Sequence, residues 1–342
     1  MGIKSLAKNC NKVDGMIVEK SISEFKNKSI GIDATGLLHR LYKDSDNIQI
    51  INNLLHTFKD LKIKATFVFD NNEYKEPLKD ETCKSRRHDR DLKREMIGLL
   101  EYIITMKHLH ISVFKKKVYD KVGSIKQIYP DFKSNIWTDS VDNLSIFQTK
   151  DMSIYDIRRM IQFYEKELKR PSKEYKKEAK KLIQKMGFPI LEATKEADFT
   201  LGYLYKKNHF DYIYSDDTDL LALGVDKLLS GLNLMTMTFH EYQLDVFLTK
   251  YHLDKSQFLD LCILLGTDYT IPVYQIQKGP NFKFCLQLIQ NYQSFEGLQP
   301  NIYKYVDEYP YLSEVNDKYL RIQQIYQETF EDDESTWLSF KY

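Results

Sequence analysis

Ser29-Ile30-Gly31-Ile32-Asp33 is a short run of mostly apolar residues that ends in a carboxylate, and the fold class follows from it. A run of this length, rich in branched side chains, predicts a buried strand rather than a helix. Residues 65–69 and 212–215 form similar runs, which end at Asp70 and at the acidic segment 216–219. Helical patterns separate these runs. The alternation predicts an α/β fold in which a mostly parallel central sheet carries helices on both faces.

Weaker patterns extend the predicted sheet. Residues 188–191 predict another strand, which follows Gly187 at the end of a helical pattern. Residues 234–239 predict a further strand, and helices are expected over 241–251 and 255–265. These elements continue the alternation of strands and helices along the chain.

Composition excludes several classes of protein. The 342 residues are 42% hydrophobic and 29% charged, which is typical of a globular chain and not of a disordered one. No apolar run is long enough and free enough of charge to span a membrane, so no membrane partner is expected. The four cysteines are far apart and form no Cys-x-x-Cys pair, which favours an intracellular location over a zinc or disulfide framework.

The charges nearly cancel, with a net charge of +1, but they are segregated along the chain. Residues 166–185 contain nine basic and three acidic side chains, and a second basic group lies within residues 75–94. From residue 294 onward, ten acidic side chains outnumber four basic ones. A single lysine-rich helix face is usually no more than a solvated surface. Two basic segments beside a carboxylate site would instead suit a nucleic acid.

Seven carboxylates are expected to gather at one edge of the sheet, because several of them follow the carboxyl ends of predicted strands. They are Asp33, Asp70, Glu196, Asp198, Asp217, Asp219 and Asp268. Side chains crowded in this way repel one another unless cations neutralise them. Oxygen ligands alone suit Mg²⁺ or Mn²⁺, and two such ions about 4 Å apart clamp the attacking and leaving oxygens of a phosphodiester. Each carboxylate taken singly is commonly a helix cap or turn residue, so the prediction depends on the whole set.

The order of these blocks resembles that of the structure-specific 5′ nucleases of the flap endonuclease family, relatives of the xeroderma pigmentosum group G nuclease. One departure is Asp198, which stands where the family has a glutamate. The middle of the chain is unmatched. The matching blocks are Met1-Gly2-Ile3, Gly31-Ile32-Asp33-Ala34, Val68-Phe69-Asp70, Lys185-Met186-Gly187-Phe188-Pro189, Glu196-Ala197-Asp198, Ser215-Asp216-Asp217-Thr218-Asp219 and Leu264-Leu265-Gly266-Thr267-Asp268-Tyr269.

The resemblance implies a role for each matching residue. The seven carboxylates would bind two Mg²⁺ or Mn²⁺ ions, directly or through water, and Asp33, Asp70 and Asp217 among them would be catalytic. Lys79 and Arg86 would stabilise the charge that develops on the scissile phosphate. The residues implied to contact DNA are Gly2, Lys84, Lys173, Lys177, Lys278, Gly279 and Lys283.

A second departure concerns the family's potassium-binding hairpin, Gly-Ile-Gly-Pro, which here reads Gln277-Lys278-Gly279-Pro280. Because a bulky Gln277 lacks the backbone freedom of glycine, K⁺ binding at this hairpin is left open. Lys278 or Lys283 is the alternative contact to phosphate.

The resemblance also implies how the chain is divided. Residues 1–293 would form the nuclease domain, in which 71–187 is a helical cap insertion and 254–293 is a helix–two-turn–helix-like element that binds duplex DNA. Residues 294–342 would form an acidic C-terminal extension. Within it, residues 323–330 are too degenerate to predict strong binding to a sliding clamp. A monomer is expected.

The expected function is that of a structure-specific DNA endonuclease and 5′ exonuclease. It would use two metal ions to hydrolyse phosphodiesters near single-strand/double-strand junctions of flapped or branched DNA, in replication, repair or recombination. Two alternatives stay open, namely an RNA-directed nuclease on the same scaffold and a non-catalytic scaffold that binds DNA junctions. The expected location is the nucleus or, for a viral protein, a cytoplasmic replication site.

Overall fold

The computed structural model describes residues 3, 6–71, 73–106, 111–130, 154–270 and 281–340. One sheet lies in this part of the chain, and its order is β1-β7-β6-β5-β2-β3-β4. The pairings along β6-β5-β2-β3-β4 are all parallel, whereas β7 is antiparallel to both β1 and β6. The predicted mostly parallel sheet is therefore confirmed. The strands are β1 (Ile17–Ser21), β2 (Ser29–Asp33), β3 (Lys64–Phe69), β4 (Ile190–Glu192), β5 (Tyr212–Tyr214), β6 (Lys227–Asn233) and β7 (Thr238–Gln243).

Helices make up most of the remaining described chain, and a short 3-10 helix, Pro77–Lys79, precedes the longest of them. The α-helices are α1 (Leu6–Cys10), α2 (Ala34–Asp44), α3 (Gln49–Asp60), α4 (Asp80–Met106), α5 (Ile111–Ile128), α6 (Ile154–Leu168), α7 (Lys173–Lys185), α8 (Ala197–Lys206), α9 (Asp219–Ala222), α10 (Leu244–Tyr251), α11 (Lys255–Leu265), α12 (Phe282–Tyr292), α13 (Phe295–Leu298), α14 (Tyr303–Val306), α15 (Tyr311–Gln327) and α16 (Glu331–Ser339). Among the described residues, none of these helices is both long and apolar enough to cross a membrane.

The chain divides into two compact units. The first unit, Met1–Thr82 with Pro171–Tyr342, contains the whole sheet. The second unit, Cys83–Arg170, is helical in its described residues and has its own apolar core, formed by Leu99, Leu100, Ile103, Phe114, Val118 and Ile157. The proposed domain limits at residues 71–187, 254–293 and 294–342 remain predictions.

Two layers of helices cover the sheet of the first unit, because side chains alternate along each strand. Ile30 and Ile32 on β2 point into the layer that contains α2, α3 and α7, whereas the intervening Gly31 faces the opposite layer. A Cβ atom on Gly31 would lie 2.8 Å from side-chain carbons of Leu201 and Phe210, so only glycine fits beneath α8 at this position. Helices on both faces of the sheet, as predicted, are confirmed.

The predicted strand over residues 234–239 is wrong, because most of that segment is the turn between β6 and β7. The side chain of Asn233 accepts hydrogen bonds from the backbone N–H groups of Met235 (2.9 Å) and Thr236 (3.3 Å), which is typical of an Asx turn. Met235 is 94% exposed, so its apolar character marks a loop tip rather than a core strand. The helix expected to begin at residue 241 begins at Leu244, since β7 continues to Gln243.

Candidate active site

Asp33 stands where β2 ends and α2 begins, and it serves as the N-cap of that helix. Its Oδ1 accepts a hydrogen bond of 2.8 Å from the Gly36 N–H, and its Oδ2 accepts one of 3.0 Å from the Ser215 hydroxyl. A Cβ atom on Gly36 would lie 2.1 Å from Oδ2 of Asp33, so any larger residue there would force the Asp33 carboxylate to move. Burial, together with the charge of Asp70, raises the pKa of Asp33 to about 7.

Asp70 and the start of α8 form the neighbouring part of the site. Oδ1 of Asp70, just beyond β3, accepts a hydrogen bond of 2.9 Å from the Ala197 N–H. Glu196 and Asp198 flank Ala197 on either side. Oδ1 of Asp198 is buried without a hydrogen-bond partner among the described residues. Burial, and then the charges of Asp33 and Asp217, raise the pKa of Asp198 well above its ordinary value.

Asp217 and Asp219 lie in the tight turn that follows β5. The Asp217 N–H donates to the Ser215 hydroxyl (3.1 Å), and Oδ1 of Asp217 accepts from the Asp219 N–H (3.1 Å). Burial raises the pKa of Asp217, and the nearby Asp268 carboxylate adds to this effect. The sequence Ser-Asp-Asp-Thr-Asp folds in this way because short polar side chains satisfy their own backbone N–H groups at a turn.

Lys79 lies among the carboxylates rather than at the surface. Its ammonium group is hydrogen-bonded to Glu196, lies 3.7 Å from Oδ2 of Asp268 and sits 5.0 Å from the centre of the Tyr269 ring. Burial alone would lower the pKa of Lys79, but the charges of Glu196 and Asp268 outweigh burial and raise it. The Thr82 hydroxyl donates to the carbonyl oxygen of Asp268 (2.7 Å), which ties the start of α4 to the same site.

The structure thus brings all seven predicted carboxylates together in the first unit. Asp33 interacts electrostatically with Asp70 and Asp217, and Glu196 interacts with Asp70 and Asp268. The charge of Asp219 also contributes to the raised pKa of Lys79. We call this set, Asp33, Asp70, Glu196, Asp198, Asp217, Asp219 and Asp268, the carboxylate cluster. As they stand, no three His, Cys, Asp or Glu side chains among the described residues are already arranged around a space for an ion.

Among the described residues of the first unit, the other predicted contacts to DNA lie outside this cluster. Lys173 and Lys177 are exposed on α7, and Lys283 is exposed in the first turn of α12. Lys84 and Arg86 lie on α4 in the second unit. Gly2, Lys278, Gly279 and the hairpin 277–280 considered for K⁺ lie outside the described residues.

The second unit contains a group of arginines that joins the two basic segments of the sequence, since Arg86, Arg90 and Arg94 lie within residues 75–94 and Arg170 lies within residues 166–185. Burial lowers the pKa of Arg170, and the charges of Arg90, Arg86 and Arg94 lower it further. Arg86 therefore belongs to a cluster of like charges, formed by α4 and the end of this unit. Like charges held close together favour an anionic partner.

Two further residues of the site had no predicted role. The Ser215 hydroxyl joins Asp33 to the turn that contains Asp217, and the Tyr269 ring lies beneath the ammonium group of Lys79. Both residues stand inside blocks that resemble the family, directly beside a carboxylate. Their position in those blocks was the available signal, but hydrogen bonding to a residue 182 positions away leaves no local pattern.

Two family models match the chain. The XPG N-terminal domain matches residues 1–93 and the XPG I-region matches residues 187–268, which together make up just over half of the 342 residues. The chain therefore belongs to the XPG and flap endonuclease family of structure-specific DNA nucleases, and the resemblance noted in the sequence is confirmed.

Individual relatives agree with this assignment. The chain is 26% identical over 337 residues to the probable RAD2-like endonuclease 369L of Invertebrate iridescent virus 6, a match that covers 88% of this chain and 75% of the viral protein. It is 35% identical over 142 residues to flap endonuclease 1 of Branchiostoma floridae, covering 41% of this chain but only 36% of that protein. The match thus spans about a third of that flap endonuclease.

Solved structures share the fold. The catalytic core of Rad2 in complex with DNA substrate aligns with 100% of this chain and 81% of its own, with a TM-score of 0.54 and 17% identity. A second Rad2 complex with DNA substrate gives a TM-score of 0.55 at 14% identity, covering 94% of this chain and 80% of that one. At this level of identity the likeness establishes the α/β fold alone.

Proposed function

We propose that this protein is a divalent-metal-dependent nuclease that hydrolyses phosphodiester bonds of DNA close to single-strand/double-strand junctions. The observation that carries the proposal is the carboxylate cluster, in which residues from five separate parts of the chain lie together. Burial and mutual repulsion raise the pKa values of Asp33, Asp198 and Asp217. Carboxylates that repel one another in this way need positive charge to neutralise them. Hard cations, which prefer oxygen ligands, supply that charge.

The residues present fit Mg²⁺ or Mn²⁺. The cluster offers only oxygen donors, which these ions prefer, and Oδ1 of Asp198 is a buried acceptor without a partner among the described residues. Two ions, when bound, would supply an activated water and stabilise the leaving oxygen. The residues proposed to hold them are Asp33, Asp70, Glu196, Asp198, Asp217, Asp219 and Asp268.

Lys79 is proposed to provide positive charge at the reacting phosphate. It already lies beside Glu196 and Asp268, so its ammonium group is fixed at the cluster rather than drawn from solvent. A preorganised charge of this kind stabilises a transition state without further reorganisation. Arg86 is proposed to act in the same way, on the basis of the resemblance and of the like charges around it.

Several exposed lysine side chains are proposed to contact the phosphate backbone of DNA. Lys173 and Lys177 project from α7, whose opposite face packs through Tyr175, Ala179 and Ile183 into the core. Lysines on such a face neutralise phosphates without reading the base sequence, so binding should weaken steeply with added salt. The same role is proposed for Lys283 and, from the resemblance, for Gly2, Lys84, Lys278 and Gly279.

A panel of labelled substrates tests the proposal. Purified protein is incubated with Mg²⁺ and with a 5′-flap, a nicked duplex, a bubble, a four-way junction and a matched RNA flap, each repeated in EDTA. We expect Mg²⁺-dependent cleavage of at least one branched DNA, close to the junction, leaving a 5′ phosphate. Faster cleavage of the RNA flap would replace DNA by RNA as the substrate. Tight binding of branched DNA without any cleavage would leave only a junction-binding scaffold.

A further inference from the structure

Asp333, on the C-terminal helix α16, is a buried carboxylate in a run of acidic residues whose first two members, Glu331 and Asp332, face solvent. It is only 2% exposed. Its Oδ1 accepts a hydrogen bond of 3.0 Å from the Thr194 N–H, and its Oδ2 accepts one from the hydroxyl of Thr200, which is itself fully buried. Burying a charge is costly unless donors surround it, so this arrangement is a specific feature of the fold.

The two partners of Asp333 bracket the carboxylates at the start of α8. Thr194 precedes Glu196 by two residues, and Thr200 follows Asp198 by two. A single carboxylate therefore accepts hydrogen bonds from residues on both sides of this acidic pair. Oδ1 of Asp198 carries no hydrogen bond from the described residues, so its position depends on what holds the backbone around it.

The segment that begins at Thr194 is also hydrogen-bonded to the residue that follows Asp70, another carboxylate of the cluster. The side chain of Asn71, directly after Asp70, donates to the Thr194 carbonyl oxygen (2.9 Å), and its backbone N–H donates to that of Lys195 (2.8 Å). The hydrogen bonds that link Asp333 to Thr194 thus continue through Asn71 to the end of β3. Three of the seven carboxylates lie within two residues of this hydrogen-bonded chain.

Helix α16 is firmly seated where Asp333 requires it. Glu334 is hydrogen-bonded to the His209 ring (2.6 Å) and to the Tyr203 hydroxyl (3.2 Å), at the far end of α8. The Trp337 ring lies 4.3 Å from that of His209 and 5.6 Å from that of Phe210, centre to centre. The C-terminal helix is therefore packed along α8 from its acidic start to its end.

We propose that Asp333 is a positioning residue of the active site, which fixes the backbone of residues 194–200 and thereby sets the distances between Asp70, Glu196 and Asp198. This inference rests on the proposed function, since it assumes that these carboxylates hold a metal ion. Groups that orient ligands commonly change metal affinity by 10- to 100-fold when removed. Asp333 acts one step further away, so we expect about a tenfold effect.

Mn²⁺ titration of the full chain, followed by electron paramagnetic resonance, tests the inference without relying on activity. Asp333→Ala is compared with Asp332→Ala, which removes the same charge from the neighbouring, exposed position. All titrations are done well below each variant's melting temperature, so that the protein is folded. We expect Asp333→Ala to raise the Mn²⁺ dissociation constant about tenfold and Asp332→Ala to leave it near the wild-type value.

Conservative variants separate positioning from mere stabilisation. In Asp333→Asn the amide can still accept from Thr194 and donate to Thr200, so an intermediate affinity is expected. Should Asp333→Ala not fold, Thr200→Val decides, because it keeps the volume and removes one donor, while Thr200→Ser restores the hydroxyl. Wild-type Mn²⁺ affinity in folded Asp333→Ala, or in Thr200→Val, overturns the inference. Wild-type protein that binds no Mn²⁺ overturns the proposed function itself, and with it this inference.

Discussion

The hydroxyl of Ser215 donates a hydrogen bond of 3.0 Å to Oδ2 of Asp33, joining the carboxyl ends of the neighbouring strands β5 and β2. The same hydroxyl accepts from the Asp217 N–H. One small side chain therefore holds Asp33 and Asp217 in place although their charges repel. In the absence of metal, the protein must bear this repulsion or relieve it by taking up protons.

Metal-free protein should lose stability as the pH rises. The pKa of Asp33 is raised from 3.8 to about 7, so the folded state binds more protons than the unfolded state between these values. The free energy of unfolding then falls with increasing pH in this window, by up to about 1.4 kcal/mol per pH unit for this one group. Urea unfolding in EDTA at several pH values from about 4 to 8 measures the effect.

Asp33→Asn is the matched variant for this prediction, because asparagine is also a good N-cap and can still accept from Gly36. It should flatten the pH dependence of the free energy of unfolding in EDTA. Saturating Mg²⁺ should flatten that of the wild type. A wild-type curve that rises with pH across the window would contradict the assignment of Asp33 as a carboxylate with a raised pKa.

Lys79→Met should impair both stability and cleavage. The substitution leaves Glu196 and Asp268 without their shared cation, which we expect to lower the free energy of unfolding in EDTA by about 1–3 kcal/mol. Cleavage should slow by about 10²–10³-fold, with little change in DNA affinity, because the charge acts on the transition state. Single-turnover kinetics and a binding titration in Ca²⁺ separate the two effects.

Lys75→Met provides the control, since Lys75 is exposed in the segment just before Lys79. It should behave as wild type in all three measurements. Equal losses in both variants would show that the effect does not depend on the position of the positive charge in this segment. The proposed role of Lys79 would then be wrong.

Gly36→Ala should destabilise the start of α2. The added Cβ would overlap Oδ2 of Asp33, at 2.1 Å, so the cap has to move away. Loss of such a cap costs about 1–2 kcal/mol. Displacement of Asp33 should also raise the Mg²⁺ concentration needed for half-maximal cleavage. Gly98→Ala, in the interior of α4 with open space around the new Cβ, should instead stabilise the protein by up to about 1 kcal/mol. Thermal unfolding compares them, and equal shifts would argue against the cap.

The parts of this fold that could be predicted from the sequence are those with a local cause. The strand Ser29–Asp33 and the strand Lys64–Phe69 are buried, so branched apolar runs mark both, and the parallel arrangement then places Asp33 and Asp70 side by side. The predicted convergence of Asp33, Asp70, Asp217 and Asp219 needed only that the strands end at one edge, whereas Asp268 follows a helix and was included because the whole set matched the family.

Features with a distant cause were not predictable. Strand Ile17–Ser21 lies at the edge of the sheet and contains Glu19 and Lys20, so it lacks the apolar pattern of the inner strands. The burial of Asp333 is a further case, because residues 331–334 form an acidic run of the kind that is usually solvated. Only the packing of α16 on α8 brings one of these four side chains to Thr194 and Thr200.

Lys177→Ala should reduce the salt dependence of DNA binding. If Lys177 contacts one phosphate, the slope of log Kd against log salt concentration falls by about 1, and adding Lys173→Ala lowers it by about 1 more. Lys250→Ala is the control, since this exposed lysine lies on α10, which packs against the opposite face of the sheet. Slopes that do not differ from wild type would remove α7 from the proposed DNA interface.

The decisive measurement is cleavage of a labelled 5′-flap duplex by the wild-type chain and, in parallel, by Asp217→Asn. We expect the wild type to cut near the junction in Mg²⁺ and not in EDTA. We expect Asp217→Asn to bind the same DNA but to cut it at least about 100-fold more slowly. Equal rates for the two chains, or Mg²⁺-independent cutting by the wild type, would contradict the proposed function.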